Sequence, residues 1–200
     1  MEATAELTRK RSADTRDNIV RTARRLLLTH AYLGLNFQEL ADLIGIRKAS
    51  LYHHFPSKLA VGQAVVDDSA RRFQRWADTI ADLSAPRQLQ AYVQMLRDAL
   101  AAGGMVCPIG ATAGEWGSLE PALQDTIKRF HRLQLDWLES LAERLRARQN
   151  PASAGAKTLS PRAWAVHINA TCQGALLNAR MHGDIELYDL SVAPLLEGKS

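Results

Sequence analysis

The sequence predicts an all-α protein of about nine helices, arranged as a small N-terminal domain and a larger C-terminal helical bundle. Apolar residues recur at three- and four-residue spacing through most of the 200 residues, which is typical of amphipathic helices. The alternation of apolar and polar residues that marks an exposed strand does not persist anywhere in the chain. Clusters of glycine, proline and serine separate the periodic segments and predict where helices end.

The composition limits the possible classes of protein. Hydrophobic residues make up 46% of the chain, which is ample for a core, but no uninterrupted apolar run is long enough to span a bilayer. The N-terminus is polar and basic and lacks the apolar stretch of a secretory signal. Two cysteines do not make a disulfide framework. We therefore expect a cytoplasmic protein in a reducing environment.

The formal positive charge is concentrated at the N-terminal end. Residues 1–58 contain ten Lys and Arg against six Asp and Glu, whereas residues 59–200 contain fifteen of each. A basic segment on a neutral body indicates a polyanionic partner for that segment. An ordinary solvated N-terminal arm would give the same small surplus, so the charge alone leaves both interpretations open.

Two short helices joined by a tight turn are predicted between Asn36 and Phe55. Asn36 can cap the first helix, with Glu39 completing a capping box, and Gly45 can end it. Leu51 and Phe55 would pack the second helix against its neighbours. The arrangement fits a helix-turn-helix, whose second helix enters the DNA major groove, although a helical hairpin with a solvated basic face remains the alternative. The outward side of the second helix would carry Arg47, Lys48, Ser50, Tyr52, His53 and His54.

The remaining elements follow from the same signals. An irregular arm that contains Arg9, Lys10 and Arg11 is predicted over 1–13, and a first helix over 15–31. The C-terminal helices are predicted over 57–80, 85–102, 107–116, 121–149, 160–181 and 185–196, with an exposed loop over 150–159.

The segment from about Thr15 to Lys58 resembles the TetR family of one-component transcriptional regulators. The resemblance rests on Leu-Ala-Asp-Leu-Ile-Gly-Ile and on Lys-Ala-Ser-Leu-Tyr-His-His-Phe-Pro-Ser-Lys. It implies a helix-turn-helix DNA-binding domain with a basic N-terminal arm over 1–58, and a ligand-sensing and dimerisation domain over 59–200. It also implies a homodimeric repressor on a near-palindromic operator in double-stranded DNA, released when a small-molecule effector acts on the C-terminal domain.

The resemblance further implies that the second short helix is the recognition helix. Ala49 and Tyr52 match positions that approach base edges, and Ala49 stands where family members often carry glycine. Lys48, His53, His54 and Lys58 match positions that contact phosphates. The DNA-binding residues expected from the resemblance are Arg47, Lys48, Ala49, Ser50, Tyr52, His53, His54 and Lys58.

The helix predicted over 160–181 is expected to form the dimer interface, mostly because of the family resemblance. Its apolar and small residues fall on one stripe, which would let two helices approach closely. The alternative is that this stripe packs inside the bundle of its own chain. The residues expected in the interface are Ile168, Thr171, Cys172, Ala175 and Ala179.

Cys107 is a candidate sensor for an electrophile or an oxidant. It directly precedes Pro108, so it would lie at a helix N-terminus, where the helix dipole can lower the pKa of a thiol. The alternative is that Cys107 is a small buried hydrophobic residue. Aromatic residues of the same domain are candidates for an apolar effector pocket, although such residues usually belong to the core. The predicted ligand-binding residues are Tyr92, Cys107, Trp116, Phe130, Trp137 and Trp164.

Other functions have little support in the sequence. No metal site is predicted, because His131, His167 and His182 are spread over separate helices without ligand spacing. No catalytic residue or cofactor is predicted either, because the sequence has no oxyanion motif, phosphate-binding glycine loop or dinucleotide fingerprint. Glu115 is either a polar group of the effector pocket or a solvated side chain. The remaining alternatives are a helical adaptor that binds a protein partner and an enzyme that uses Cys107 with a histidine base.

Overall fold

The structure, a computed structural model, describes residues 2–147 and 159–197, without the side chains of residues 2–11. Within these ranges the regular structure consists of nine α-helices and one 3-10 turn, and no strand is present, so the predicted all-α class is confirmed. The helices are α1 (Glu2–His30), α2 (Phe37–Ile44), α3 (Lys48–His54), α4 (Lys58–Thr79), α5 (Ala85–Ala101), α6 (Pro108–Ala113), α7 (Pro121–Ala147), α8 (Pro161–His182) and α9 (Glu186–Leu196), and the 3-10 turn is Trp116–Ser118.

The prediction of an irregular arm over 1–13 is wrong, because α1 begins at Glu2. This segment has no apolar periodicity, but it is rich in Ala, Glu, Leu, Arg and Lys and has neither Gly nor Pro, so its intrinsic helix propensity is high. The side chains of Arg9, Lys10 and Arg11 lie outside the described residues, as does the predicted loop up to residue 158.

The first three helices form a small unit with its own buried residues. Ile19 and Leu27 of α1, Leu40 of α2 and Leu51 of α3 are fully buried, and Phe55 closes the unit after α3. Helix α1 also packs against α4 and α6. The helix-turn-helix is therefore attached to the rest of the chain through α1 and α4.

The C-terminal bundle is built around α7 and α8, which pack along each other, with α4, α5 and α9 around them. Leu89, Leu138 and Leu141 are fully buried in this core. Asp189 of α9 accepts two hydrogen bonds, both 2.7 Å long, from the Arg97 guanidinium of α5. No helix in the described part of the chain has the length and apolar character needed to cross a membrane.

The stripe on α8 that was predicted to form a dimer interface faces the interior of its own chain. Ile168, Cys172, Ala175 and Ala179 are buried in the monomer, and Thr171 is half-buried. The prediction is corrected because α8 lies between α7 and α9, which cover this face. A repeat of apolar residues shows that a helix has a buried face, but it does not identify the helices that cover it. The outer surfaces of α8 and α9 instead expose Val166, Leu177, Met181 and Leu190.

Candidate DNA-binding interface

The α2–turn–α3 unit forms through short-range hydrogen bonds. The Asn36 side-chain oxygen accepts from the backbone N–H groups of Gln38 and Glu39, at 2.7 and 3.4 Å. Gly45 has a φ of 76°, in the left-handed region that favours glycine, and its N–H donates to Ala41 and Asp42. Both the predicted N-cap and the predicted glycine turn are therefore confirmed.

Helix α3 is held to the domain by one side only. Leu51 and Phe55 are buried, and the Arg16 guanidinium of α1 lies over the Phe55 ring at 4.8 Å. The opposite side carries the residues that the sequence assigned to DNA. Arg47, Lys48, Ala49, Tyr52 and His53 are exposed, and Ser50 and His54 are half-buried.

The Tyr52 side chain of α3 packs against α2 on one side and faces solvent on the other. Its ring packs on that of Phe37, with centroids 5.1 Å apart, while 48% of the residue remains exposed. Because one side of the ring is held by α2, the exposed side has a restricted orientation. A ring held in this way loses little conformational freedom when it meets a ligand.

The two histidines at the end of α3 lie close together, with ring centroids 5.6 Å apart. Burial lowers the pKa of His54 from its ordinary value of 6.5, and the nearby His53 and Arg16 lower it further. The His54 imidazole is therefore mostly uncharged at neutral pH. Arg47 and Lys48 carry positive charge on the exposed face.

Lys58 lies apart from the cations of α3. Its ammonium donates to the Leu33 carbonyl at 2.9 Å and lies over the Tyr32 ring at 4.8 Å. Burial lowers the pKa of Lys58, and Glu115 and Glu120 oppose that shift. An open cavity of about 580 Å³ connects this position to α3, lined by Asn36, Phe37, Tyr52, Ser57 and Lys58 among others.

Comparison with known proteins gives two family matches. The model of bacterial regulatory proteins of the tetR family matches residues 19–65, which span the helix-turn-helix. The model of the tetracyclin repressor-like C-terminal domain matches residues 85–194, more than half of the chain. The chain belongs to the TetR family. This TetR-family protein is a DNA-binding transcriptional regulator.

Individual TetR-family relatives are similar over most of their length. The HTH-type transcriptional repressor DhaR of Mycobacterium sp. (strain GP1) is 26% identical over 185 residues, which cover 91% of this chain and 90% of DhaR. A TetR-family regulator from Agrobacterium tumefaciens superposes with a TM-score of 0.83 at 28% identity, over 93% and 97% of the two chains. A TetR-family regulator from Legionella pneumophila superposes with a TM-score of 0.77 at 26% identity, over 87% of this chain and 91% of that chain.

Three of the predicted effector-binding residues of this TetR-family domain lie together. Tyr92, Phe130 and Trp137 belong to a cluster of rings with Phe73 and Trp76 of α4. The Tyr92 and Trp137 centroids are 5.7 Å apart, and Phe73 lies 6.3 Å from Phe130. We call these five residues the aromatic cluster.

Trp116 and Trp164 lie on other elements of this domain. Trp116 belongs to the 3-10 turn, where the Lys128 ammonium is 5.7 Å from its ring, and Trp164 is half-buried in the first turn of α8. An open groove of about 460 Å³ reaches the aromatic cluster from the surface between α4 and α7. Phe73 and Trp137 line it together with Arg71 and Arg75, for which the sequence carries no local signal.

Cys107 caps α6, as predicted, but its thiol is not activated. The residue is buried, and burial raises the pKa of the Cys107 thiol above its ordinary value of 9.0, although hydrogen bonds at the start of α6 and from Gln134 oppose the shift. The expected lowering of this pKa is therefore wrong, because loss of hydration outweighs the helix N-terminus. Burial likewise raises the pKa of Cys172 to about 12.

A buried polar network connects Cys107 to the aromatic cluster. The Gln134 amide nitrogen lies 3.9 Å from the Cys107 sulfur. The Asn169 amide nitrogen donates to the Tyr92 hydroxyl at 3.2 Å and to the Gln134 carbonyl at 3.5 Å. His131 contacts the Asn169 carbonyl oxygen at 3.2 Å. In the described residues, no group of three or more His, Cys, Asp and Glu is placed to hold a metal ion.

Proposed function

We propose that this protein is a homodimeric repressor of a near-palindromic operator, released from DNA by a small-molecule effector. The exposed face of α3 carries the proposal, because its backbone is fixed by the Asn36 cap and the Gly45 turn while its cations face solvent. Repression, rather than activation, is supported by the similarity to DhaR.

The roles on α3 follow from chemistry and position. Ala49 is small and exposed, so α3 can approach the floor of the major groove, where a methyl group can meet a thymine methyl. Tyr52 presents a hydroxyl and a ring to base edges. Arg47, at the N-terminal end of α3, contacts a guanine or a phosphate. Lys48, Ser50, His53 and His54 contact phosphates, which fix the register of the helix on the duplex.

A backbone phosphate is proposed to occupy the cavity beside Lys58. Helix α4 begins there, and the Ser57 hydroxyl accepts from the Ala60 N–H at 3.1 Å. The first N–H groups of a helix and its dipole favour an anion. Lys58 would then turn from the Leu33 carbonyl to the phosphate, which is a stronger acceptor because it is charged.

The dimer interface is proposed to be the outer face of α8 and α9. Met181 is 74% exposed and Leu190 is 71% exposed, and Val166 and Leu177 extend the apolar surface along α8. The small residues Ala170 and Gly174 are also exposed, so two copies of α8 can approach closely. Large apolar side chains that share one exposed face typically mark a contact with another protein. A twofold axis through this face would place two α3 helices on one duplex.

The effector is proposed to bind without covalent chemistry, in and around the aromatic cluster. The groove lined by Phe73 and Trp137 offers access to the cluster, and Tyr92 and Asn169 offer polar groups. The protonated, buried Cys107 thiol argues against rapid reaction with electrophiles. Alkylation of Cys107 by N-ethylmaleimide at neutral pH should therefore be slow in the folded protein and fast in urea, as followed by mass spectrometry. Fast alkylation of the folded protein would instead favour covalent sensing.

Fluorescence anisotropy with DNA that flanks the gene tests the proposal. We expect tight binding that survives excess non-specific DNA and weakens steeply between about 50 and about 200 mM salt. Replacing Lys48 and Tyr52 by alanine should remove specific binding while circular dichroism and the dimer mass stay unchanged. Specific binding that survives both substitutions would contradict the assignment of α3 as the recognition helix.

A further inference from the structure

The C-terminal end of α1 is held by a side chain from α8. The Arg180 guanidinium donates to the backbone carbonyls of Thr29 and, at 3.5 Å, Leu28. Leu28 also accepts from the Val106 N–H at 3.4 Å. The last carbonyls of a helix have no partner within the helix, and a cation complements the negative end of its dipole. Arg180 therefore fixes the end of α1 to the bundle.

The residues that follow α1 are held by a carboxylate. One oxygen of Glu115 accepts from the backbone N–H groups of Tyr32 and Leu33, at 2.9 and 3.0 Å. The Tyr32 hydroxyl donates to Glu120 at 3.1 Å. Two amides that converge on one charged acceptor set the direction in which the chain leaves α1 towards α2.

The backbone conformation at this point is strained. Ala31 has a φ of 61°, and it is the one non-glycine residue with a positive φ in the described part of the chain. The left-handed conformation costs an L-amino acid roughly 1–2 kcal/mol, so the surrounding contacts must stabilise it. Arg180 binds backbone carbonyls that precede Ala31 in the sequence, and Glu115 binds backbone N–H groups that follow it. We call Ala31, Glu115, Arg180 and the backbone they hold the α1 junction.

The α1 junction connects three parts of the molecule. Glu115 lies between α6 and the 3-10 turn, eight positions after Cys107 in the C-terminal core. Arg180 lies in the last turn of α8, next to Met181 of the proposed dimer face. The junction itself lies at the C-terminal end of α1, the first helix of the N-terminal unit of α1, α2 and α3, which we call the DNA-binding unit. Together with the packing of α1 against α4, these hydrogen bonds therefore contribute to the orientation of α3 relative to the proposed dimer face.

We propose that Glu115 and Arg180 are positioning residues that set the half-site spacing of the operator. This inference rests on the proposed function as a dimer on a near-palindromic site. Half-sites of helix-turn-helix dimers must match the separation of the two recognition helices, and each added base pair shifts a half-site by about 3.4 Å along the duplex. A rigid junction selects one spacing. A loosened junction lets each α3 adjust to its half-site, so several spacings are bound with similar affinity.

The test measures spacing preference separately from affinity. The wild type, E115A, E115Q and R180A are compared on operators whose half-site spacing is natural or changed by one or two base pairs, and on DNA with one half-site. We expect the wild type to favour its natural spacing by about tenfold or more, within the range of ordinary coupling between sites. E115A and R180A should reduce this preference to about threefold or less. E115Q should also reduce it, though less than E115A, because an amide oxygen is a weaker acceptor than a carboxylate. Their affinity for one half-site should stay within about twofold of the wild type.

Two controls separate positioning from general damage. D125A removes a carboxylate from the exposed surface of α7, where it pairs with Lys128 at 3.3 Å, and should keep the full spacing preference. R132A removes a guanidinium from the exposed surface of α7, outside the junction, and should also keep it. If E115A fails to fold, E115Q and R180A decide the question, since E115Q keeps the shape of the side chain.

The outcomes distinguish the two proposals. A wild type that binds no operator specifically would overturn the proposed function. A wild type that prefers one spacing, together with E115Q and R180A variants that prefer it equally strongly, would overturn this inference alone. A uniform loss of affinity on every DNA, including one half-site, would also overturn it, because that result indicates damage to the DNA-binding unit.

Discussion

Helices α3 and α8 differ in how much of their surface is buried and in the chemistry of the exposed remainder. Within α3 only Leu51 is buried, and most of the remaining residues face solvent as polar or charged groups. Helix α8 buries seven residues, among them Ile168 and Cys172, and still exposes Val166, Leu177 and Met181 on the opposite side. A helix that contributes little to the core can change its outward residues at small cost in stability. On α8, by contrast, one face determines stability and the other is available for assembly.

The largest expected effect is on the buried face of α8. Ile168→Ala should lower the free energy of unfolding by about 3 kcal/mol, because it removes packed methyl groups and leaves a cavity between α8 and its neighbours. Urea denaturation measures this change. Leu83→Ala, at an exposed position before α5, is the matched control and should change stability by less than about 0.5 kcal/mol. Equal effects for the two variants would contradict the assignment of faces on α8.

Met181→Glu tests the exposed face of the same helix. In the proposed homodimer each subunit would bring an unpaired carboxylate to the proposed interface, so the dissociation constant of the dimer should rise by about a hundredfold or more. Sedimentation at micromolar concentrations should then show monomers with unchanged helix content. Leu83→Glu places the same charge elsewhere on the exposed surface and should leave the mass unchanged. A Met181→Glu protein that remains dimeric would place the interface on another face.

Arg47→Ala combined with Lys48→Ala tests the exposed face of α3. In the proposed complex Lys48 contacts a phosphate and Arg47 contacts a guanine or a phosphate. The double substitution should therefore weaken operator binding by about tenfold and reduce the slope of log affinity against log salt by about 1 to 2. Anisotropy over a salt series measures both quantities. Arg71→Ala with Arg75→Ala removes the same charge from the surface of α4 and should leave the slope unchanged. An equal reduction in both double variants would show that only net charge matters.

The smallest effect expected on α3 comes from His54. Its pKa lies below 6.5 in the free protein, so lowering the pH from about 7.5 through 6.5 and below adds positive charge at the proposed interface. Operator affinity should rise by about threefold over this range, and His54→Asn should remove that part of the rise. The free energy of unfolding of the free protein should fall in the same range, because the unfolded chain binds the proton more tightly. An unchanged pH profile in His54→Asn would exclude this role.

The sequence by itself determined the elements whose hydrogen bonds are local. The Asn36 cap, the Gly45 turn and the inward positions of Leu51 and Phe55 all depend on residues within a few positions of each other. For this reason the helix-turn-helix and the outward residues of α3 were predictable, and so was the all-α class. Helix propensity alone also explains why α1 extends to Glu2, although the absence of apolar periodicity hid that extension.

The tertiary structure decided every property that depends on distant neighbours. Burial reverses the expected pKa shift of Cys107, because loss of hydration depends on what surrounds the thiol. The contacts of Lys58 and Glu115 with the segment after α1 span 25 residues and more than 80 residues of sequence, so no local pattern signals them. The stripe on α8 is the same case, since periodicity marks a buried face and only packing identifies what covers it.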